Sequence, residues 1–189
     1  MTKDMESLND TTTTMSSCPV QSKLPIRMIS TVVKGFGRGS SDLGIPTANL
    51  ERGQSEYHSN TSFDELPTGI YWGFARIDND PITYKTACSI GYNPTYGNDT
   101  KTVEPHLIAT SADPNRHASS CGESVLGDFY GKSIRLSVVG YLRPELPFEG
   151  LDKLIVAIKN DIRNAEMLGD GNEPLTLQEK AWVASEEQV

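Results

Sequence analysis

The 189-residue sequence has no long apolar run, so no segment offers the roughly 20 apolar residues that a membrane-spanning helix needs. Cysteine is scarce: Cys18, Cys88 and Cys121 lie far apart and form no Cys-x-x-Cys pair. That spacing argues against a disulfide framework and against a zinc site. Basic residues are also few, with 17 lysines and arginines against 25 acidic residues and a formal net charge of −8. Because nucleic-acid binding needs a clustered basic patch, we expect no nucleic-acid partner.

The first residues are rich in Thr, Ser and Asp and contain neither the apolar stretch of a secretory signal nor a basic amphipathic transit pattern. We predict a disordered polar tail over residues 1–22 and a single folded domain over residues 23–189. The last five residues carry no retention or peroxisomal signal. We therefore expect a cytoplasmic protein without membrane association, and we expect a monomer.

The remainder of the chain is dominated by strand-like segments. These segments are rich in β-branched and aromatic residues, are bounded by Gly, Pro, Asn or Asp, and cover residues 26–33, 69–77, 83–90, 103–109 and 133–142. Several short strands of this kind predict a mainly β sandwich or barrel.

One helix is strongly indicated after the last strand. Its apolar stripe at helical spacing consists of Leu151, Leu154, Ile155, Ile158 and Ile162. Asp152 falls in the first turn, and Gly169 is predicted to end the helix as its C′ residue. We expect this helix to close one end or side of the barrel, with a weaker amphipathic segment at residues 175–184 packed nearby.

A glycine-rich segment has the composition of a phosphate-binding loop. Glycines stand at positions 35, 37 and 39, so backbone amides there can approach a phosphate without a Cβ in the way. Thr47 and Asn49 follow at a two-residue spacing, which in a strand places both side chains on one face, about 6.5–7 Å apart at Cα. Neutral oxygen ligands of this kind suit Mg²⁺ that also binds a nucleotide. The alternative is a plain turn, because the segment lacks the Gly-Lys-Ser/Thr ending of a P-loop.

Two further features could carry chemistry. Glu104 lies in a strand-like run between apolar neighbours, where a carboxylate is costly unless it faces a polar cavity, and it is a candidate general base. The alternative is a solvent-facing Glu104 paired with a basic residue. His106 lies on the same predicted face, and by default we interpret it as a structural residue.

The second feature is the segment 140–148. Its Arg143 and Phe148 offer a planar cation and an apolar surface for an aromatic anionic ligand; the alternative is an ordinary connection between a strand and a helix.

Six motifs occur in a characteristic order. They are Gly-Phe-Gly-Arg-Gly-Ser at 35–40, Leu-Gly-Ile-Pro-Thr-Ala-Asn at 43–49, Thr-Gly-Ile-Tyr at 68–71, Ser-Ile-Gly-Tyr-Asn-Pro at 89–94, Asp-Phe-Tyr-Gly at 128–131 and Gly-Tyr-Leu-Arg-Pro-Glu at 140–145. Together they resemble the riboflavin kinase family in its monofunctional eukaryotic form, over about residues 29–168. The resemblance implies a closed six-stranded antiparallel Greek-key barrel with a C-terminal helix packed against it.

The resemblance also implies a reaction and a set of site residues. Riboflavin and ATP would be converted to FMN and ADP with Mg²⁺, by in-line transfer of the γ-phosphoryl group to the ribityl 5′-hydroxyl. Glu104 would be the catalytic base, and Thr47 and Asn49 the metal ligands. The implied ATP-binding residues are Lys34, Gly37, Arg38, Gly39, Ser40, Pro46 and Tyr130, with Tyr130 beside the adenine. The implied flavin-binding residues are Leu142, Arg143, Glu145 and Phe148, with Arg143 free to meet the product phosphate.

The sequence departs from the family pattern in two places. Pro105 stands where the family has Thr between the catalytic glutamate and the histidine, which removes one backbone donor. Residues between 109 and 128 form an insertion of turn-forming composition, which we expect to lie on the surface. A catalytically silent barrel that only binds a flavin is the alternative function, although mere binding needs neither a base nor a metal pair.

Overall fold

The structure is a computed structural model that describes residues 23–34, 49–51, 56–58, 62–78, 80–92, 101–110, 112 and 129–185. The predicted tail, most of the glycine-rich segment and most of the insertion lie outside the described residues.

Within the described ranges, seven antiparallel strands form the β structure. They are β1 (Ile26–Val33), β2 (Asn49–Leu50), β3 (Glu56–Tyr57), β4 (Gly69–Ile77), β5 (Tyr84–Gly91), β6 (Thr102–Ile108) and β7 (Ser133–Arg143). Their order is β2-β1-β7-β4-β5-β6, with β3 paired to β1 outside this path. β4, β5 and β6 form a meander and β7 returns beside β4, which is the Greek-key order. Because β2 also packs against β6, the six strands of the path close almost completely, and the predicted barrel is confirmed.

Alternating side chains fill the barrel. β1 is the clearest case, since buried and half-buried residues alternate along its whole length, with Ile26, Met28 and Val32 in the interior. The interior cluster continues with residues from every longer strand, among them Tyr71, Cys88, Val103 and Leu136. Hydrophobic burial on this face fixes the register, because a slip of one residue would turn these side chains outward.

Two helices cover one outer side of the barrel. α1 (Leu151–Gly169) and α2 (Pro174–Ala184) pack over a second cluster that contains Trp72 and Phe74 of β4 together with Ile162 of α1. The predicted C-terminal helix is confirmed, and it begins at Leu151 as expected. None of the helices in the described ranges is long and apolar enough to cross a membrane.

Two details of α1 differ from the predicted pattern. Gly169 is the last helical residue and Asp170 is the C-cap, so Gly169 is not the predicted left-handed C′ residue. Its lack of a side chain serves packing instead, since a Cβ there would lie 3.1 Å from the Lys85 side chain and 3.5 Å from Phe74. Leu151, predicted as part of the apolar stripe, is 56 % exposed and lies outside the buried face of α1. That buried face also includes an acidic residue, Asp161.

α2 is attached to the barrel by polar contacts. Glu179 is 1 % exposed, and it accepts hydrogen bonds from Nε and Nη2 of Arg27, both at 2.8 Å, and from the Ser137 hydroxyl at 2.7 Å. The Trp182 ring lies near two guanidinium groups, at 5.2 Å from Cζ of Arg27 and 4.5 Å from Cζ of Arg135. These contacts hold α2 against β1 and β7.

Candidate functional site

The outer face of β6 carries the predicted base. Val103 and Leu107 point into the barrel, whereas Glu104 and His106 are half-buried on the other side of the strand. The predicted shared face of Glu104 and His106 is therefore confirmed. Pro105 pairs with Cys88 of β5 in the register, and β6 is the last strand of the hydrogen-bonded order. A missing amide donor is tolerated at such an edge.

Glu104 lies among groups from two strands. Burial raises the pKa of Glu104 above its ordinary value, and the nearby negative charge of Glu145 raises it further. Hydrogen bonds from the Thr102 hydroxyl and from the Asn49 side chain act in the opposite direction. Oγ1 of Thr102 also lies 3.1 Å from the Gly91 carbonyl oxygen, and its single proton can be donated to only one of these acceptors at a time. A half-buried carboxylate with a raised pKa is a stronger base than an ordinary surface glutamate.

Asn49 provides the second functional group. It begins β2, pairs with Val33 of β1 and is only 8 % exposed. Its amide group is engaged with Glu104, but its Oδ1 atom is buried and has no hydrogen-bond partner in the described part of the chain. A buried acceptor without a partner costs about 1–3 kcal/mol. A hard cation bound to Oδ1 would supply that partner, so this residue fits Mg²⁺.

A second carboxylate approaches the same face from the segment after β7. The Ser89 hydroxyl of β5 donates to Oε1 of Glu145 over a long 3.4 Å, and the Glu145 carboxylate lies against the bare Cα of Gly91. Partial burial of its carboxylate raises the pKa of Glu145, although the residue as a whole is exposed, while the Ser89 hydroxyl and the Arg143 charge oppose that shift. Asn49, Glu104 and Glu145 thus meet on one outer face of the barrel.

Arg143 is engaged within the protein. Its Nε and Nη2 donate to the two carboxylate oxygens of Asp161 at 2.8 and 2.6 Å, and its Nη1 donates to the Pro144 carbonyl at 3.0 Å. Its Cζ lies 5.6 Å from the centroid of the Phe148 ring. The expectation of an Arg143 free to meet a product phosphate is therefore wrong, because an ion pair with α1 already holds the guanidinium.

The predicted nucleotide residues that the structure describes lie around the end of β1. Lys34 is exposed directly after β1, next to the residue that pairs with Asn49. Tyr130, 46 % exposed, belongs to a turn that is joined to β1 through hydrogen bonds of the Val32 amide and carbonyl with Lys132 and Gly131. Lys34, Asn49 and Tyr130 are thereby gathered at one end of one strand.

A cavity of about 370 Å³ adjoins this turn. Its lining combines apolar and charged side chains from strand ends and the turn: Ile77, Asp78, Asp80, Tyr84, Leu107, Phe129 and Lys132. The Tyr84 hydroxyl donates to Asp80 at 2.9 Å, which fixes one wall. The cavity is roomy enough for a planar ring with polar edges.

The structure brings some predicted residues together and separates others. Leu142 packs against the cluster beneath the helices. Thr47, Gly37, Arg38, Gly39, Ser40 and Pro46 lie outside the described residues. Four residues of the site were missed: Ser89, Gly91, Thr102 and Asp161. A signal existed for Asp161, because the helical spacing from Ile158 to Ala165 places it on the buried face of α1.

Known proteins share both the sequence and the architecture. The profile of the Flavokinase family, riboflavin kinase, matches residues 22–168. A riboflavin kinase from Mus musculus is 40% identical over 156 residues, which are 82% of this chain and 88% of that protein. The crystal structure of riboflavin kinase from Trypanosoma brucei covers 87% of this chain and 92% of its own, with a TM-score of 0.56 and 21% identity. A crystal structure of a macrolide-efflux protein from Streptococcus pneumoniae aligns with a TM-score of 0.52 and 22% identity, over 74% of this chain and 38% of that longer one. Both structural likenesses concern the fold alone.

Proposed function

Because this chain belongs to the riboflavin kinase family, we propose that it transfers the γ-phosphoryl group of ATP to the ribityl 5′-hydroxyl of riboflavin, giving FMN and ADP. The observation that carries the proposal is the pairing of Glu104 with Asn49. A half-buried carboxylate of raised pKa touches a buried amide whose oxygen lacks a partner among the described residues. One group is suited to accept a proton and the other to bind a cation.

Glu104 acts as the general base. Its carboxylate orients the 5′-hydroxyl and accepts the proton as the oxygen attacks the γ-phosphorus, while the bond from phosphorus to the bridging oxygen of ADP breaks. General-base assistance of this kind is usually worth about 10²- to 10⁴-fold in rate. Burial of Glu104 favours this role, since it raises the pKa of the carboxyl towards the working pH.

Asn49 and Thr47 hold the metal in this proposal. The unpartnered Oδ1 of Asn49 supports its share of the task, and Thr47 precedes it by two residues. The chemistry that Mg²⁺ supplies when bound is charge neutralisation on the triphosphate oxygens. Asn49 has a second task, because its hydrogen bond orients the Glu104 carboxylate.

The flavin lies on the side of Glu145 and Phe148. The Phe148 ring offers an apolar face for the isoalloxazine, and the Glu145 carboxylate can accept hydrogen bonds from ribityl hydroxyls close to Glu104. Arg143 contributes by holding Phe148 rather than by contacting phosphate. Leu142 supports this platform from below, because it is packed in the cluster under α1.

The nucleotide lies on the opposite side of Glu104, around the end of β1. Lys34 and the glycine-rich residues Gly37, Arg38, Gly39 and Ser40, with Pro46, contact the phosphates. The adenine lies beside Tyr130, and the neighbouring cavity offers it an apolar floor with polar edges. This division leaves the 5′-hydroxyl and the γ-phosphate to meet at Glu104.

A direct assay tests the proposal. The purified protein is incubated with riboflavin, ATP and Mg²⁺, and FMN and ADP are separated by chromatography and quantified. Equal amounts of the two products are expected, and Glu104→Gln is the matched control. A protein that quenches riboflavin fluorescence but makes no FMN would be the alternative, a silent flavin-binding barrel. The monomeric state and the cytoplasmic location remain predictions.

A further inference from the structure

Asp161 is a buried acid on an otherwise apolar helix face. It is 5 % exposed and lies on the same buried side of α1 as Ile162 and Ala165, two residues of the cluster between α1 and the barrel. Both carboxylate oxygens are used by one partner, Arg143, in a two-pronged ion pair. Asp161 lies 57 residues along the chain from Glu104, on a different element.

Stability is a weak explanation for such a pair. Removing two charges from water costs about as much as their attraction returns, and apolar residues of similar volume often replace buried pairs without loss. The planar two-pronged geometry of an Arg–carboxylate pair fixes the orientation of the guanidinium group, which an apolar residue at position 161 would not do.

Arg143, whose orientation Asp161 fixes, contacts the segment that follows β7. Besides Asp161 it contacts the Pro144 carbonyl at the start of the segment and the Phe148 ring near its end. Residues 144–147 are exposed and belong to no strand or helix. Arg143 therefore connects both ends of an exposed segment to the buried face of α1.

We propose that Asp161 is a positioning residue for riboflavin, acting through Arg143 to hold Phe148 and Glu145 in the conformation that receives the flavin. The inference rests on the proposed function, because it assigns residues 143–148 to the flavin side. Asp161 itself does not touch the substrate. Its effect is preorganisation: a segment that is already ordered loses less conformational entropy when the ligand binds.

The test compares two buried carboxylates. Glu179 forms a comparably buried two-pronged pair with Arg27, but it lies on α2 and its further hydrogen bond comes from Ser137 rather than from residues 143–148. Asp161→Asn and Glu179→Gln each remove one charge from such a pair. For both variants we would measure kcat, the KM for riboflavin, the KM for ATP, the thermal midpoint and riboflavin affinity by fluorescence quenching.

We expect Asp161→Asn to raise the KM and the dissociation constant for riboflavin about tenfold, which corresponds to about 1.4 kcal/mol. Its kcat and its KM for ATP should stay within about threefold of the parent. Glu179→Gln should lower the thermal midpoint and leave riboflavin binding unchanged. Equal riboflavin constants for Asp161→Asn and parent, or equal increases in both variants, would overturn the inference.

Two provisions keep the test decisive. If Asp161→Asn does not fold, Asp161→Glu and Glu179→Asp replace the pair of variants, since each keeps its charge and changes only the reach of the fork. A threefold or larger rise in the riboflavin KM for Asp161→Glu alone supports the inference, and its absence refutes it. The parent enzyme separates this question from the larger one: a parent that makes no FMN contradicts the proposed function, whereas an active parent with an indifferent Asp161 contradicts only the positioning role.

Discussion

Gly91→Ala is a minimal change that should disturb the proposed flavin side without replacing a polar residue. Gly91 ends β5, and a Cβ built there would lie 2.3 Å from Oε1 and 2.7 Å from Cδ of Glu145. Ordinary contact between such atoms requires about 3.5 Å, so the carboxylate must withdraw by roughly 1 Å. Because the clash involves only the far end of a flexible side chain, the backbone need not move.

The expected effect on stability is small. Replacing a strand glycine by alanine is worth about 0.5–1 kcal/mol in favour of the fold. The weakened Ser89–Glu145 hydrogen bond, already 3.4 Å long, costs a similar amount. The thermal midpoint should therefore stay within about 4 °C of the parent.

The expected effect on binding is larger. A hydrogen bond to a charged group contributes about 1.5–3 kcal/mol, and partial loss of one from Glu145 to the ribityl chain should raise the riboflavin KM about tenfold. The KM for ATP should not change. Steady-state kinetics on Gly91→Ala, Glu145→Ala and the double variant test the reasoning. If the effects of the two single substitutions simply add, Gly91 does not act through Glu145 and the explanation is wrong.

Three other outcomes are expected. Glu104→Gln should lower kcat about 10²-fold or more with a modest change in ATP affinity, because the amide keeps the shape but cannot accept a proton; turnover within a fewfold of the parent in single-turnover experiments would exclude the base assignment. Asn49→Ala should weaken Mg·ATP binding and turnover together, and parent-like activity across a magnesium titration would remove the ligand assignment. Burial raises the pKa of the Cys88 thiol far above its ordinary value, so iodoacetamide should leave Cys88 unmodified in the native protein and alkylate it in urea, as followed by peptide mass spectrometry.

The longer strands could be predicted because each carries its own pattern. The predicted bounds of β1 and β4 coincide with the observed ones, and α1 begins at the predicted residue. β7 extends one residue further than predicted, and β5 and β6 are each displaced by one residue. β2 and β3 escaped prediction because two residues are too few to show alternation. They become strands by pairing with β1, which supplies the order that their own sequence lacks.

The candidate site was predictable only in part, for a similar reason. Local motifs made Glu104 and Asn49 candidates, and the family resemblance that implies their roles is confirmed, whereas the roles themselves stay predictions. The roles of Gly91 and Asp161 depend on partners more than 15 residues away in sequence. Gly169 looked like a helix terminator, but its real constraint is the approach of Phe74 and Lys85 across the interface. Contacts of this kind exist only once the strands and helices have docked.

The contact between Asn49 and Glu104 has a consequence for how activity arises during folding. These residues stand 55 positions apart in sequence, on β2 and β6, the two ends of the strand order. They meet only where the barrel closes on itself, so the proposed base and the amide that hydrogen-bonds to it come together only when the two ends of the strand order pack. Non-local contacts of this type form slowly. A refolding chain should therefore recover its secondary structure first and its turnover last. The appearance of FMN during refolding would then report the closure of the barrel.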